Sequence, residues 1–461
     1  MTDSPVPELL RVGRSPALKG VCSVPGDKSI SHRALLFGAL CDGAVEIRGL
    51  GVGGDNASTA AALRALGVAV EVSGSNARVK GAGFDGLRPS EMALDCGNSG
   101  TTMRLLCGLL AGRPFETRLE GDPSLTRRPM GRVATPLRQM GARIEGRPDA
   151  SRPSALLPPL VVEGGKLHGI DIVLPVASAQ LKSALILAGL QASGKTSIEE
   201  PGLSRDHSER ILRFLGAPLV ADPARRRVVV DPTGWNGSLK ATAVEVPGDL
   251  SSAAFLLVAA TVVPGSDITV ERVGLNPTRS GVLDALRLMG ASIETVQTAE
   301  AMGEPLGRVR ARYVGPLRAA RIDGDLALRS IDEIPALAVA AALAEGRSEF
   351  CDVGELRVKE SDRITSIARE LSRAGIEVAQ TSAGFSVVGT GGRCPKGGTV
   401  EPDRDHRIAM AGAVLGLLCD DETTVPSEDI ATSFPTFTEI LQALGANLRR
   451  DMVGRAASSA S

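Results

Sequence analysis

The chain has 461 residues, of which 43% are hydrophobic and 23% charged, with a formal net charge of −1. It is long enough for two or three domains, and it has no global field to draw it onto nucleic acid or an anionic membrane. Aromatic residues make up only 2%, too few for the stacking platforms of a single-strand binder. Seven scattered Cys without a Cys-x-x-Cys pair and four His without ligand spacing point away from a disulfide framework and from a metal centre.

The opening stretch MTDSPVPELLRVGRS has no apolar signal core, and the longest apolar run, Ala253–Pro264, is too short to span a bilayer. A cytoplasmic, reduced protein is expected, with fraying at Met1–Arg14 and Asp451–Ser461 and a disordered tail over 451–461.

The first recognisable element is an apolar helix beginning near Ser29, SISHRALLFGAL. A strand, VEIRGL, follows, and then a charged helix that stops at LRALGVAVEV. The same pair recurs along the chain. Further apolar helices begin near Ser99, Ser178, Ser251, Asp332 and His406. Charged helices end in LRQMGARIEG, LRFLGAPLVA, LRLMGASIET, LSRAGIEVAQ and LQALGANLRR. The stopping residues are Gly67, Gly141, Gly216, Gly290, Gly375 and Gly445, spaced by 74, 75, 74, 85 and 70. Glycine suits the left-handed position just past a helix end. Helices apolar on all sides are expected to be buried, and the charged ones to face solvent.

Two in-phase series imply six units of about 75 residues, each a strand, buried helix, strand, surface helix and two strands. The best-matched pair, VPGDKSISHRALLFGAL at 24–40 and VPGDLSSAAFLLVAA at 246–260, lies 222 residues apart. That offset predicts an α/β protein of two lobes with three units each. The first lobe would span 25–245, and the second 1–24 plus 246–450.

Polar residues gather at the starts of the apolar helices, where unpaired N–H groups and the helix dipole favour anions. The clusters are Lys28-Ser29 with Arg33, Asn98-Ser99-Gly100-Thr101 with Arg104, and Asp405-His406-Arg407. Arg127-Arg128, Arg205, Lys359 and Arg363 stand in short polar stretches. Together they suit a substrate with two or more phosphate or carboxylate groups, since a planar guanidinium donates bidentately to such groups. Two carboxylates stand out, and each has two readings. Asp332 is either an ordinary helix cap or a base. Glu360 is either an ion-pair partner of Arg363, three residues on, or an acid/base group tuned by its cationic neighbours. No P-loop, Gly-x-Gly-x-x-Gly fingerprint, His-Glu-x-x-His or Gly-x-Ser-x-Gly occurs, and GVGGD at 51–55 lacks the dinucleotide spacing.

About 430 residues resemble the enolpyruvyl transferases, and among them the 5-enolpyruvylshikimate-3-phosphate synthase family. The motifs are PGDKSISHRAL (25–35), GNSGTTMRL (97–105), TRRPMGR (126–132), RVKESDR (357–363), DHRIAM (405–410) and ATSFPTF (431–437). SAQLK (178–182), RDHSE (205–209) and NPTR (276–279) are similar to the second, glyphosate-tolerant class of that family.

The resemblance implies an inside-out α/β barrel in two lobes, each of three βαβαββ units. It also implies transfer of the enolpyruvyl group of phosphoenolpyruvate to the 5-hydroxyl of shikimate 3-phosphate by a cytoplasmic monomer. Neither metal nor cofactor is implied, and no nucleic acid or membrane partner. By this likeness Lys28, Gly100, Arg128, Gln180, Arg363 and Arg407 hold phosphoenolpyruvate. Lys28, Ser29, Arg33, Ser178, Gln180, Arg205, Asp332 and Lys359 hold shikimate 3-phosphate. Asp332 takes the hydroxyl proton, while Glu360 and Lys28 handle protonation of the methylene carbon.

The sequence departs from the family pattern at two places. Gly100 stands where tolerant enzymes carry Ala, and Thr432 where the other class has Lys. Two rival readings differ in their sequence marks. The sister enzyme acting on a UDP-aminosugar resembles this chain less, because it has Lys-Asn in the first motif and a Cys in the loop matching 121–132. A non-catalytic anion-binding scaffold would tolerate loss of Lys28, Asp332 and Glu360, all of which are present.

Overall fold

The computed structural model describes residues 8–149 and 152–452. The apolar segments form helices Lys28–Ala39, Gly100–Leu110, Ala179–Gly189, Leu250–Val262, Ile334–Leu343 and His406–Gly416. All 13 residues of Leu250–Val262 are buried, as a helix without a polar face requires. Asp27, Ser99, Ser178, Asp249 and Asp405 cap five of the six by accepting a first-turn N–H. The Ile334 helix is started differently. Its cap, Glu333, accepts no such bond, and Pro335 occupies the first turn, where its missing N–H leaves nothing unpaired.

The charged segments form Gly54–Ala65, Gly131–Gln139, His207–Phe214, Gly281–Leu288, Arg363–Arg373 and Phe437–Ala443. They are not free surface helices. In Arg363–Arg373 one face buries Ile364, Ile367, Ala368 and Leu371. The six glycines that follow these helices have φ between +81° and +112°, a conformation a Cβ would penalise.

Five four-stranded sheets share one topology: an edge strand runs parallel to its neighbour, and the next two steps are antiparallel. Leu94–Asp95, Glu116–Glu120, Arg152–Glu163 and Arg143–Asp149 illustrate the order. A further sheet has three strands, with Glu8–Val12 antiparallel to both Thr423–Pro426 and Leu448–Met452. The expected fraying at the ends is therefore corrected. Glu8–Val12 is a central strand that buries Leu10 and Val12 completely. Asp451 and Met452 belong to its partner strand, while 1–7 and 453–461 lie outside the described residues.

Buried apolar side chains form two cores. One draws on Leu10–Leu18 and Leu250–Leu448, the other on Ile30–Val246 together with Met302. The chain passes between them twice, and the two crossings touch. Gly26 and Gly248 form an antiparallel bridge. The Asp27 N–H donates to Pro247 O and the Asp249 N–H to Pro25 O, both at 2.8 Å. Backbones approach so closely here that a Cβ on Gly26 would lie 1.7 Å from Gly49 O.

Among the described residues no helix is long and apolar enough to cross a membrane. Nor does any group of three His, Cys, Asp or Glu stand where it could hold a metal ion. All seven cysteines are unpaired.

Candidate active site

A cavity of about 260 Å³ opens where the starts of the buried helices converge. Lys28, Ser29, Arg33, Gly100, Arg128, Ser178, Gln180, Arg205, Asp332, Lys359, Glu360 and Arg407 all line it. Nine Lys and Arg side chains face six carboxylates there, so the cleft has a positive surplus suited to anions. On its rim Arg132 Nη1 lies 2.9 Å from Glu355 Oε1, joining segments 223 residues apart in sequence.

One wall is built from residues before 210, and its cations rest mainly on neutral acceptors. Arg128 donates from Nη1 to Asn98 O at 3.2 Å and from Nη2 to Ser124 Oγ at 3.1 Å and to Asn98 Oδ1. Its Nε is buried without a hydrogen-bond partner. Arg104 donates from Nη1 to Gln180 Oε1 at 2.8 Å, and Gln180 Nε2 donates to Thr101 Oγ1 at 2.8 Å. Burial, with Arg128 close by, brings the Arg104 guanidinium down to about 10.

Arg33 donates to Ser208 Oγ at 2.7 Å, Ser183 Oγ at 2.7 Å and Ser29 O at 2.9 Å, and burial lowers it to about 10 as well. Besides Arg132 and Arg205, which reach across to carboxylates of the other wall, an exception is Lys28, whose Nζ lies 3.0 Å from Asp55 Oδ2. Burial opposes the Lys28 charge, but Asp55 and Glu360 outweigh it, and the ammonium is held above its ordinary pKa.

The other wall pairs its cations with carboxylates. Asp332 Oδ2 lies 2.7 Å from Arg205 Nη2, which crosses the cleft to it. This is a close ion contact but not an aligned hydrogen bond, since Arg205 Nη2 has no hydrogen-bond partner. Asp332 Oδ1 accepts from Lys359 Nζ at 3.3 Å and Arg363 Nη1 at 3.4 Å. Arg407 Nη1 donates to the Asp332 carbonyl at 3.0 Å. Burial opposes the charge on Asp332, yet Lys359, Arg205, Arg407 and Arg363 hold its carboxyl well below the usual range.

Glu360 Oε2 accepts from Arg363 Nη2 at 2.7 Å. Against burial, the cations Arg363, Lys28 and Arg128 hold the Glu360 carboxyl well below its usual range in the same way. Burial takes His406 down to about 3, so it is neutral.

Asp332 is not a cap, because the capping position belongs to Glu333 and the Asp332 carboxylate turns to three cations. Glu360 does form the ion pair with Arg363, yet it precedes that helix, whose cap is Asp362, and it faces the cleft. Arg363 stands directly behind the cavity lining, against Asp332 and Glu360. It is 1% exposed, and its donors also reach Asp405 Oδ2 at 2.7 Å and Oδ1 at 3.3 Å. Three carboxylates draw it behind the wall.

Asp55 and Arg279 also line the cleft, as does Arg104, which the sequence places only in the general anion-binding cluster after Asn98. Asp55 lay in GVGGD, a stretch weighed only as a failed dinucleotide motif. Arg104 had a signal, one helical turn past Gly100.

The family model described as EPSP synthase (3-phosphoshikimate 1-carboxyvinyltransferase) matches residues 12–441. A 3-phosphoshikimate 1-carboxyvinyltransferase of a Synechococcus strain is 50% identical over 432 residues, covering 93% of this chain and 97% of that protein. The protein of the same name from Xanthomonas euvesicatoria is 49% identical over 438 residues, covering 94% and 96%. Among solved structures, EPSP synthase from Acinetobacter baumannii superposes with a TM-score of 0.84 at 40% identity, covering 96% of this chain and all of that one. The enolpyruvyl transferase NikO from Streptomyces tendae, 20% identical with a TM-score of 0.76 over 98% of this chain and all of that one, shares the fold.

Proposed function

The chain belongs to the EPSP synthase family, and we propose that this cleft transfers the enolpyruvyl group of phosphoenolpyruvate to the 5-hydroxyl of shikimate 3-phosphate. The observation that carries the reading is the division of the cleft, with uncompensated arginines on one wall and two ionised, cation-held carboxylates on the other. Arg128 and Arg104 can neutralise an incoming anion without first giving up a carboxylate. Arg407 and Lys28 flank the same space.

A carboxylate held as low as Asp332 is a weak base, because proton transfer favours a pKa near the working pH. The phosphate of shikimate 3-phosphate resolves this by competing for Arg205 and Lys359. As those cations turn to the substrate, the Asp332 pKa rises and its oxygen becomes free to accept the 5-hydroxyl proton. The hydroxyl oxygen bonds to C2 of phosphoenolpyruvate while the methylene carbon gains a proton. Loss of a proton from that carbon, with cleavage of the C2–O bond to phosphate, then gives the enol ether and inorganic phosphate. Lys28 and Glu360 line the same space, and this pair handles the protonation of the methylene carbon and its reversal. Positioned charges supply stabilisation where charge develops.

The two cores fit two lobes, 25–245 and 1–24 plus 246–450, that close over this space. The five like sheets and the six helix pairs support an inside-out barrel of six βαβαββ units. The testing experiment is phosphate release from phosphoenolpyruvate with and without shikimate 3-phosphate, with the product weighed by mass spectrometry. One phosphate per enol ether, released only when both substrates are present, is expected. Release that ignores shikimate 3-phosphate would overturn the reading.

A further inference from the structure

Arg279, the last residue of NPTR, has no part in the chemistry above, although it is 3% exposed and borders the cleft. Its Nη1 donates to Glu333 Oε1 at 2.9 Å, and its Nη2 donates to Asp249 Oδ1 at 2.9 Å and Ser251 Oγ at 2.7 Å. Nε lies 3.5 Å from Asp27 Oδ2, an ion contact without an aligned hydrogen bond. Ser251 Oγ in turn donates to Glu333.

The three carboxylates have one thing in common: each stands at the cap position of a buried helix, Asp27 and Asp249 with a capping bond and Glu333 without one. Asp27 stands before Lys28–Ala39, Asp249 before Leu250–Val262 and Glu333 before Ile334–Leu343. Lys28 opens the first of these helices, and Asp332 immediately precedes the cap of the third. Asp27 and Asp249 also belong to the two crossings that join the cores through paired backbone bonds.

A guanidinium is planar and directs its donors along fixed lines. With one carboxylate on each side, it fixes the three helix starts relative to one another. An ammonium could supply the charge and three donors, but from a single nitrogen on a flexible stem, without the planar fork that holds the directions fixed. Catalytic geometry is sensitive at this scale, since a misplacement of about 1 Å can cost on the order of a hundredfold in rate.

We propose that Arg279 is a positioning residue for the transfer, gripping the caps of three helices at the chain crossings and so setting Lys28 against Asp332. The inference rests on the assignment of Lys28 and Asp332 as the proton-handling groups. It differs from a purely stabilising role in what a conservative replacement does. Arg279→Lys keeps the buried charge, so its melting temperature stays closer to wild type than that of Arg279→Gln. Its kcat per folded molecule, however, falls at least about tenfold while KM for either substrate changes by less than about threefold.

Asp249→Asn offers a second route that keeps the cap, because Asn caps as well as Asp. Asp249 Oδ1 accepts from both the Ser251 N–H and Arg279 Nη2, so Asn leaves a neutral acceptor and takes the charge from one arm of the grip; the same split with a smaller loss of kcat is expected. Wild-type kcat in folded Arg279→Lys, or in Asp249→Asn should the first not fold, overturns the inference. Wild-type enzyme that releases no phosphate in the presence of shikimate 3-phosphate overturns the proposed function and this inference with it.

Discussion

The two walls of the cleft treat their arginines in opposite ways. Arg128 and Arg104 sit among a backbone carbonyl, Asn98, Ser124 and Gln180, so their charge is left over. Arg363 and Arg279 are each surrounded by three carboxylates, so theirs is spent within the protein. The first arrangement costs desolvation and gains nothing until an anion arrives. The second stabilises the fold and sets the protonation of Asp332 and Glu360. On the proposed reading one wall binds, and the other holds carboxylates in place for proton transfer.

The sharpest way to break that division is Asp332→Asn. Turnover should fall by roughly two to four decades, the range for a general acid–base group, with folding retained as judged by circular dichroism. Because Glu333 holds the cap position, Asn cannot make good the loss, and substantial surviving turnover would return Asp332 to a structural role.

Next in size is a contrast between two arginines. Arg363→Gln leaves Asp405, Glu360 and Asp332 buried and under-neutralised, and should cost about 3–5 kcal/mol of stability in a denaturant titration. Arg128→Gln removes a charge whose hydrogen bonds go to neutral acceptors and which reaches Glu360 only as the weakest of its cationic neighbours. It should leave stability nearly unchanged while raising KM for phosphoenolpyruvate roughly ten- to a hundredfold, the worth of a charged hydrogen bond of about 1.5–3 kcal/mol. Equal losses of stability in the two variants would erase the distinction.

Acid sharpens it further. Asp332 and Glu360 both have pKa values lowered by folding. Their stabilising contribution is therefore complete above the unfolded carboxylate values of about 4, and is lost as pH falls through the lower folded values. Melting temperature should drop below about pH 4 in wild type and drop less steeply in Glu360→Gln.

The smallest effect expected is at Gly100. A Cβ there would lie 2.6 Å from Arg104 Nη1 and 3.5 Å from Arg128 Nη1, so the methyl group meets Arg104 before it meets a ligand. The end of a flexible side chain can move. Gly100→Ala should therefore change KM for phosphoenolpyruvate by less than about tenfold, and should raise the glyphosate inhibition constant more than that KM. An unchanged ratio would locate herbicide response elsewhere.

What the sequence disclosed followed the range of its signals. Helix starts and stops were legible because caps, apolar runs and trailing glycines are local, and Gly67 to Gly445 all adopt the left-handed conformation their spacing suggested. Residues at helix starts, such as Lys28, Ser178 and Arg407, could be picked out for the same reason. Partnerships across the chain could not. Nothing local distinguishes Arg363, drawn behind the wall by Asp405 and Asp332, from Arg128, which stays at the cleft. Glu8–Val12 read as a loose end because the strands that bury it lie more than 400 residues away. Arg279 looked like one basic residue among many until the caps of three helices met around it.

The account is tested most directly by phosphate release measured against phosphoenolpyruvate concentration, at saturating shikimate 3-phosphate, in Arg128→Gln and Asp332→Asn side by side. Arg128→Gln should climb close to wild-type turnover once phosphoenolpyruvate is in excess, and Asp332→Asn should stay flat at every concentration. Recovery of Asp332→Asn at high substrate, or a ceiling for Arg128→Gln as low as that of Asp332→Asn, would contradict a cleft that binds with one wall and transfers protons with the other.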